Sequence, residues 1–215
     1  MRNADKVRFK PMSKRATDLL FHIIYWPVWF CFSIFHPVKV IGRDNLPEGA
    51  AVIACNHTSY ADPLMAIFAC GFHNPIRIMA KEELFHIPLL GWFMVKVGMF
   101  GVNRGQSDIT AVKRALKVLK EGCKLFLFPE GTRVRAQEEG DASAKTGAIL
   151  FASRSKVQLV PMFIPRKKHW FRPTKVVIGE AYDPDVPEKR AAKEDLQQAA
   201  DELLRRIYAL EEQTQ

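Results

Sequence analysis

Residues 56–62 read Asn-His-Thr-Ser-Tyr-Ala-Asp, placing His57 and Asp62 five positions apart at the end of an apolar run. A histidine in such a turn can take a proton from a hydroxyl, because imidazole ordinarily titrates close to neutral pH. A carboxylate on its other ring nitrogen would fix the tautomer and stabilise the imidazolium as it forms. The chemistry on offer is activation of a hydroxyl for attack on an electrophilic carbon. Taken alone, the segment is equally consistent with a surface histidine beside a helix-capping aspartate.

Two more segments offer anion binding. Phe128-Pro129-Glu130-Gly131-Thr132-Arg133 follows another apolar run; Arg133 carries a planar fork suited to phosphate, and Gly131 lets the backbone approach a bound anion closely. Residues 98–105, Gly-Met-Phe-Gly-Val-Asn-Arg-Gly, put Arg104 at a strand end. Either arginine alone is as readily a solvated loop residue. No G-x-S-x-G elbow, H-E-x-x-H pair or Gly-Lys-Ser/Thr phosphate loop occurs, which leaves no motif for a serine hydrolase, a zinc hydrolase or an NTPase.

These residues must be held by a layered scaffold. Residues 38–41 read as a strand ended by Gly42, and 51–55 as a buried strand after the Pro47-Glu48-Gly49 turn. Asp62-Pro63 opens a helix to about Ala69, since proline is tolerated in a first turn. Residues 76–80 and 100–103 are strand candidates, and 81–97 between them is largely helical, divided by Pro88 and Gly91. Asp108 caps a helix with Ile109, Val112, Leu116 and Leu119 at helical spacing, which Gly122 ends. A strand at 124–128, an exposed loop at 134–144 and a helix at 145–154 follow, then strands at 159–163 and 175–178. The last helix sets Leu196, Ala200, Leu203, Ile207 and Leu210 on one face. Strands alternating with helices indicate an α/β fold: a single domain with a mixed, mostly parallel sheet flanked by helices.

With 215 residues, 48% of them hydrophobic, the chain can bury one substantial core. Cys31, Cys55, Cys70 and Cys123 lie far apart in apolar contexts, so neither disulfides nor a zinc site are expected. Thirty-two basic residues against twenty-three acidic give +9, which implies an anionic partner: nucleic acid, an acidic membrane leaflet or a phosphorylated substrate. Nucleic-acid binding would need basic residues interleaved with stacking aromatics, and the one such patch is 166–172. The first fifteen residues carry Arg2, Lys6, Arg8, Lys10, Lys14 and Arg15 against Asp5, and an apolar, aromatic run at 19–35 follows. That run is a poor signal peptide, is marginal in length for a spanning helix, and has Pro27 as a potential kink. An interfacial anchor fits best, with rings at headgroup level and a basic flank drawn to anionic lipid. Residues 1–36 are therefore read as a membrane-anchoring helical segment and 37–215 as the catalytic domain.

In this order and spacing the segments resemble the glycerolipid acyltransferase family, and within it the bacterial 1-acylglycerol-3-phosphate acyltransferases. The matching pieces are His57 with Asp62 as an H-x4-D block, 100–104 as a second, 128–133 as an F-P-E-G-T-R block, and Val160-Pro161-Met162 as a fourth. Residues 80–84, 89–92 and 145–148 look like the family's connecting segments, so the resemblance runs from about 38 to 180. It implies His57 as general base and Asp62 as its orienting partner, with Arg104, Glu130, Gly131, Thr132 and Arg133 in acceptor binding and Lys81 as an extra phosphate contact. Asn103 departs from the aspartate common before the arginine, and Met162 from the usual valine, which opens the acceptor to question more than the catalysis.

The implied reaction moves a fatty acyl chain from acyl-CoA or acyl carrier protein to the sn-2 hydroxyl of 1-acylglycerol 3-phosphate, giving phosphatidic acid. The same chemistry on glycerol 3-phosphate or another lysolipid is the alternative. A thioester is already activated, so no metal or bound cofactor is called for, and backbone amides near Gly131 are candidate oxyanion donors. The expected partners are the lysophospholipid acceptor, the acyl thioester donor and an anionic membrane surface, at the cytoplasmic face of the cell membrane and without nucleic acid.

Overall fold

A computed structural model of the chain describes residues 10–103, 108–133, 144–186 and 192–214. It begins with α1 (Lys14–Phe35), capped by Ser13, whose hydroxyl accepts the amide of Ala16 at 3.3 Å. The helix runs unbroken through Pro27 for 22 residues, about 33 Å at 1.5 Å per residue. It is long and apolar enough to cross a membrane by length and composition.

The strands are β1 (Val38–Ile41), β2 (Val52–Cys55), β3 (Ile76–Lys81), β4 (Phe100–Val102), β5 (Lys124–Leu127), β6 (Leu159–Phe163) and β7 (Thr174–Ile178). The helices after α1 are α2 (Asp62–Cys70), α3 (Leu90–Lys96), α4 (Ile109–Lys120), α5 (Gly147–Ser155) and α6 (Lys193–Ala209). The seven strands form one sheet in the order β1-β7-β6-β2-β5-β3-β4. Every neighbouring pair is parallel except β6 and β7, so the sheet is mixed and mostly parallel.

Burial of the central strand β2 explains why all of its side chains are apolar. Val52 and Ala54 face a core built with Ala115, Leu119, Ala148, Ala152, Leu203 and Ile207 from α4, α5 and α6. Ile53 and Cys55, on the other face by strand alternation, pack with Met65, Ala66 and Ala69 of α2. Helix α1 lies over α2, burying Phe21 and Tyr25 against Phe68. At its N-terminal end Asp18 forms an ion pair with the buried Arg77 of β3. Leu19, Ile23, Trp26, Phe30, Ile34 and Phe35 of α1 remain exposed.

Parallel strands end together, so β2, β3, β4, β5 and β6 deliver the residues that follow them to one edge of the sheet. Lys81 ends β3, and His57, Asn103, the turn at 128–133 and the loop at 164–173 lie just past the ends of the others. The chain reversal at β7 and β1 returns the C-terminal end of α1 to the same edge, where the Phe171 amide donates to the Phe35 carbonyl at 2.8 Å and the Thr174 amide to that of Pro37 at 2.9 Å.

Candidate active site

Asn56, fully buried, closes the end of β2. Its side-chain amide donates to the Ile164 carbonyl and its oxygen accepts the Ile164 amide, both at 2.9 Å. That two-point clamp fastens the end of β6 to the turn that carries the histidine. The chain then turns through Thr58 and Ser59 into α2, whose first residue is Asp62.

Asp62 is wholly buried. Its Oδ2 lies 3.1 Å from Nδ1 of His57 and accepts the amides of Thr58 and Ser59, each at 2.7 Å. Burial pushes this carboxyl up, but the His57 hydrogen bond, the nearby Lys168 ammonium and the Ser59 amide outweigh it and hold the group below the usual aspartate range. An ionised carboxylate only accepts, so Nδ1 carries the proton and the lone pair of His57 sits on Nε2.

The imidazole lies flat on Phe128, with ring centroids 3.8 Å apart and 15° between planes. Its backbone amide donates to Glu130 Oε2 at 2.8 Å, and Tyr208 of α6 donates its hydroxyl to Oε1 of the same carboxylate at 2.6 Å. Glu130 is thus turned inward, braced between the histidine turn and the last helix. Cys55, next to this site, is no nucleophile: burial, followed by the Asp62 charge, pushes its thiol well up.

Arg133 and Thr132 stand at the exposed end of the 128–133 turn. The Arg133 guanidinium is stacked 3.7 Å above the ring of Tyr60, a residue 77% exposed. Gly131 takes φ = +74°, a conformation that favours glycine. Its amide turns back to donate to the Phe128 carbonyl at 3.0 Å.

Lys81 ends β3 at the same edge, half-exposed, with its ammonium 3.0 Å from Glu83 on the surface. Arg104 lies outside the described residues; its neighbour Asn103 donates its amide to Asp108, the cap of α4, at 2.9 Å. Among the described residues no cluster of three or more His, Cys, Asp and Glu could hold a metal ion.

Three residues escape the sequence reading. Tyr208 sits on the amphipathic last helix with nothing to mark it as a partner of Glu130. Asn56 looks like part of a turn rather than a clamp between strands. Lys168 belongs to the basic stretch 166–168 that reads as a surface patch, yet its side chain is only 7% exposed and its ammonium lies 2.9 Å from Asp62 Oδ1.

Comparison with known proteins gives the family. The family model described as Acyltransferase matches residues 37–165. A 1-acyl-sn-glycerol-3-phosphate acyltransferase of Bacillus subtilis is 33% identical over 180 residues, covering 81% of this chain and 88% of that protein. The chloroplastic 1-acyl-sn-glycerol-3-phosphate acyltransferase LPAT1 of Arabidopsis thaliana is 32% identical over 148 residues. That match takes in 66% of this chain but only 40% of the plant protein. The crystal structure of the 1-acyl-sn-glycerophosphate acyltransferase PlsC from Thermotoga maritima superposes with a TM-score of 0.61 at 23% identity, covering 90% of this chain and 79% of that one. The chain belongs to the acyltransferase family.

Proposed function

We propose that this chain transfers a fatty acyl group from acyl-CoA or acyl carrier protein to the sn-2 hydroxyl of 1-acylglycerol 3-phosphate, forming phosphatidic acid. The observation that carries the reading is the His57–Asp62 contact of 3.1 Å through Nδ1, which leaves Nε2 as the base. The names of the Bacillus and Arabidopsis relatives support the choice of acceptor.

In this scheme Nε2 takes the acceptor's hydroxyl proton as the oxygen bonds to the thioester carbonyl carbon. The tetrahedral intermediate collapses by breaking the carbon–sulfur bond, and the imidazolium returns its proton to the leaving thiolate. Asp62 stabilises the imidazolium between the two steps. Transfer is direct, consistent with the protonated, buried state of Cys55. The thioester supplies the activated acyl group, and no cofactor or metal enters.

Arg133, presented on Tyr60, receives the acceptor phosphate, with Lys81 at the end of β3 as a further cation and Arg104 assigned to the same task by its place in the sequence motif. Glu130 and Gly131 contribute by shaping the turn that meets His57 rather than by exposing a charge of their own. A phosphate gripped at that edge would hold the hydroxyl toward Nε2, which is where much of the rate gain in such a reaction originates.

The acceptor lives in a bilayer, and the exposed apolar side chains of α1 together with Ile87, Leu89, Trp92, Phe93, Trp170 and Phe171 support docking at a membrane. The basic N-terminus favours an anionic leaflet, and the proposed thioester donors would be met on its cytoplasmic side.

The test is thiol release from acyl-CoA and from acyl carrier protein, with and without lysophosphatidic acid, by wild-type and His57→Ala protein in micelles. Release that requires the acceptor and falls about a hundredfold or more in the mutant is expected of a lost general base. Release without acceptor would instead make the protein a thioesterase. Transfer to glycerol 3-phosphate or another lysolipid would move the acceptor and keep the chemistry.

A further inference from the structure

Lys168 lies in a loop whose neighbours Lys167 and His169 are exposed, yet its own ammonium is inside the protein. It lies 2.9 Å from Asp62 Oδ1 and donates to Thr58 Oγ1 at 3.1 Å and to the Pro165 carbonyl at 2.8 Å. Burying an ammonium is costly unless it is paired and its donors are met; the Asp62 carboxylate balances its charge and two oxygens accept its hydrogen bonds. The loop is fastened at its start by the Asn56 clamp on Ile164 and near its tip by the Phe171 amide on Phe35. There the Trp170 ring packs at a tilt against His36, with centroids 5.0 Å apart and 49° between planes.

We infer that Lys168 is a positioning residue for the acyl-transfer reaction, acting through Asp62 from the loop that links the end of α1 to the histidine turn. The inference rests on the function proposed above. His57 and two backbone amides use Oδ2 of Asp62, and Lys168 takes the other oxygen. The carboxylate is thus held by hydrogen bonds on Oδ2 and by the lysine's charge on Oδ1, which favours the orientation that faces Nδ1. The grip on Thr58 fixes the residue next to His57 as well. The other ionisable groups around Asp62 are the buried, neutral thiol of Cys55 on β2 and the carboxylate of Glu130 after β5, which Tyr208 of α6 meets. Neither replaces the lysine's positive charge.

Lys168→Gln keeps donors for Thr58 and Pro165 and removes the charge. In the full-length protein, kcat should fall about tenfold while KM for acceptor and donor stays within about twofold, as expected of a group acting through the base rather than on substrate. In an Asp62→Asn background the same substitution should change kcat by less than about twofold, because the charge it pairs with is gone. A further tenfold loss there, or a rise in KM with kcat unchanged in the single mutant, would overturn the inference. The double variant leaves no unpaired buried charge, so it decides the matter even if Lys168→Gln alone does not fold. The acid limb of stability provides a readout without activity. Without the lysine, the folded Asp62 carboxyl titrates closer to its unfolded value, so the urea midpoint should decline less steeply from pH 6 to pH 3 than in wild type; a decline as steep as that of wild type would refute the link. Absence of acceptor-dependent release by the wild type would refute the proposed function instead, with the Lys168–Asp62 link still judged by that limb.

Discussion

Tyr208 donates its hydroxyl to Glu130 Oε1 at 2.6 Å across 78 positions of sequence, and the second oxygen of that carboxylate receives the amide of His57. The last helix of the chain therefore braces the turn that carries the proposed base. Tyr208→Phe removes the hydrogen bond and keeps the ring against Phe163. It should lower stability by about 1.5–3 kcal/mol, the scale for a hydrogen bond to a charged group, read from urea unfolding. Turnover should fall by about threefold to tenfold as the His57 turn loosens; unchanged stability and turnover would remove Tyr208 from the brace.

Asp62 sets a stability limit on the acid side. Its folded carboxyl titrates below its unfolded value because the His57, Lys168 and Ser59 contacts outweigh burial. Its contribution is therefore complete above the ordinary aspartate range and is lost as pH falls through the lower folded value. Urea midpoints measured from pH 6 down to pH 3 should decline less steeply in Asp62→Asn than in wild type. The same variant should lose about a hundredfold or more in turnover, since Nδ1 no longer faces a carboxylate.

Arg133 and Tyr60 should act as a unit on the phosphate. Arg133→Ala is expected to raise KM for lysophosphatidic acid more than KM for the thioester. Tyr60→Ala removes the ring under the guanidinium, 3.7 Å away, and should raise the acceptor KM about twofold to fivefold, the size of an exposed cation–π contact. Equal effects on both substrates would place these residues elsewhere in the reaction.

Trp170 and Phe171, each 64% exposed, sit beside Phe35 at the end of α1. Replacing both by alanine should weaken sedimentation with anionic vesicles about tenfold, given the apolar area two aromatic rings bring to an interface. Turnover on a short-chain acceptor below its micellar concentration should change far less. Loss of turnover with vesicle binding intact would assign the pair to the active site.

Much of the scaffold is legible locally. The strand expected at 51–55 is Val52–Cys55 in the structure, four consecutive buried apolar residues, and the helix opened by Asp62-Pro63 starts where its proline predicts. Asp108 caps α4 as its position suggests, accepting the amide of Ala111 at 2.9 Å. The kink expected at Pro27 does not break α1, which the buried Phe21 and Tyr25 hold against α2. The site is legible where its spacing is short: His57 and Asp62 share one turn, and 128–133 is a continuous segment. Lys168 is not, because a lysine between another lysine and a histidine reads as solvated until β6 is seen to run beside β2.

By itself the sequence determined the α/β alternation, the five-residue spacing of base and carboxylate, and an aromatic helix preceded by basic residues. These depend on local periodicity, on turn chemistry and on side-chain type, all of which act over a few residues. Only the tertiary structure decided that the parallel strands end at one edge, that Glu130 faces inward to Tyr208, and that Lys168 grips Asp62. Those contacts join positions 78 or more residues apart. Which distant residues meet depends on strand order and register, and on the cost of burying an ammonium or a carboxylate without a partner.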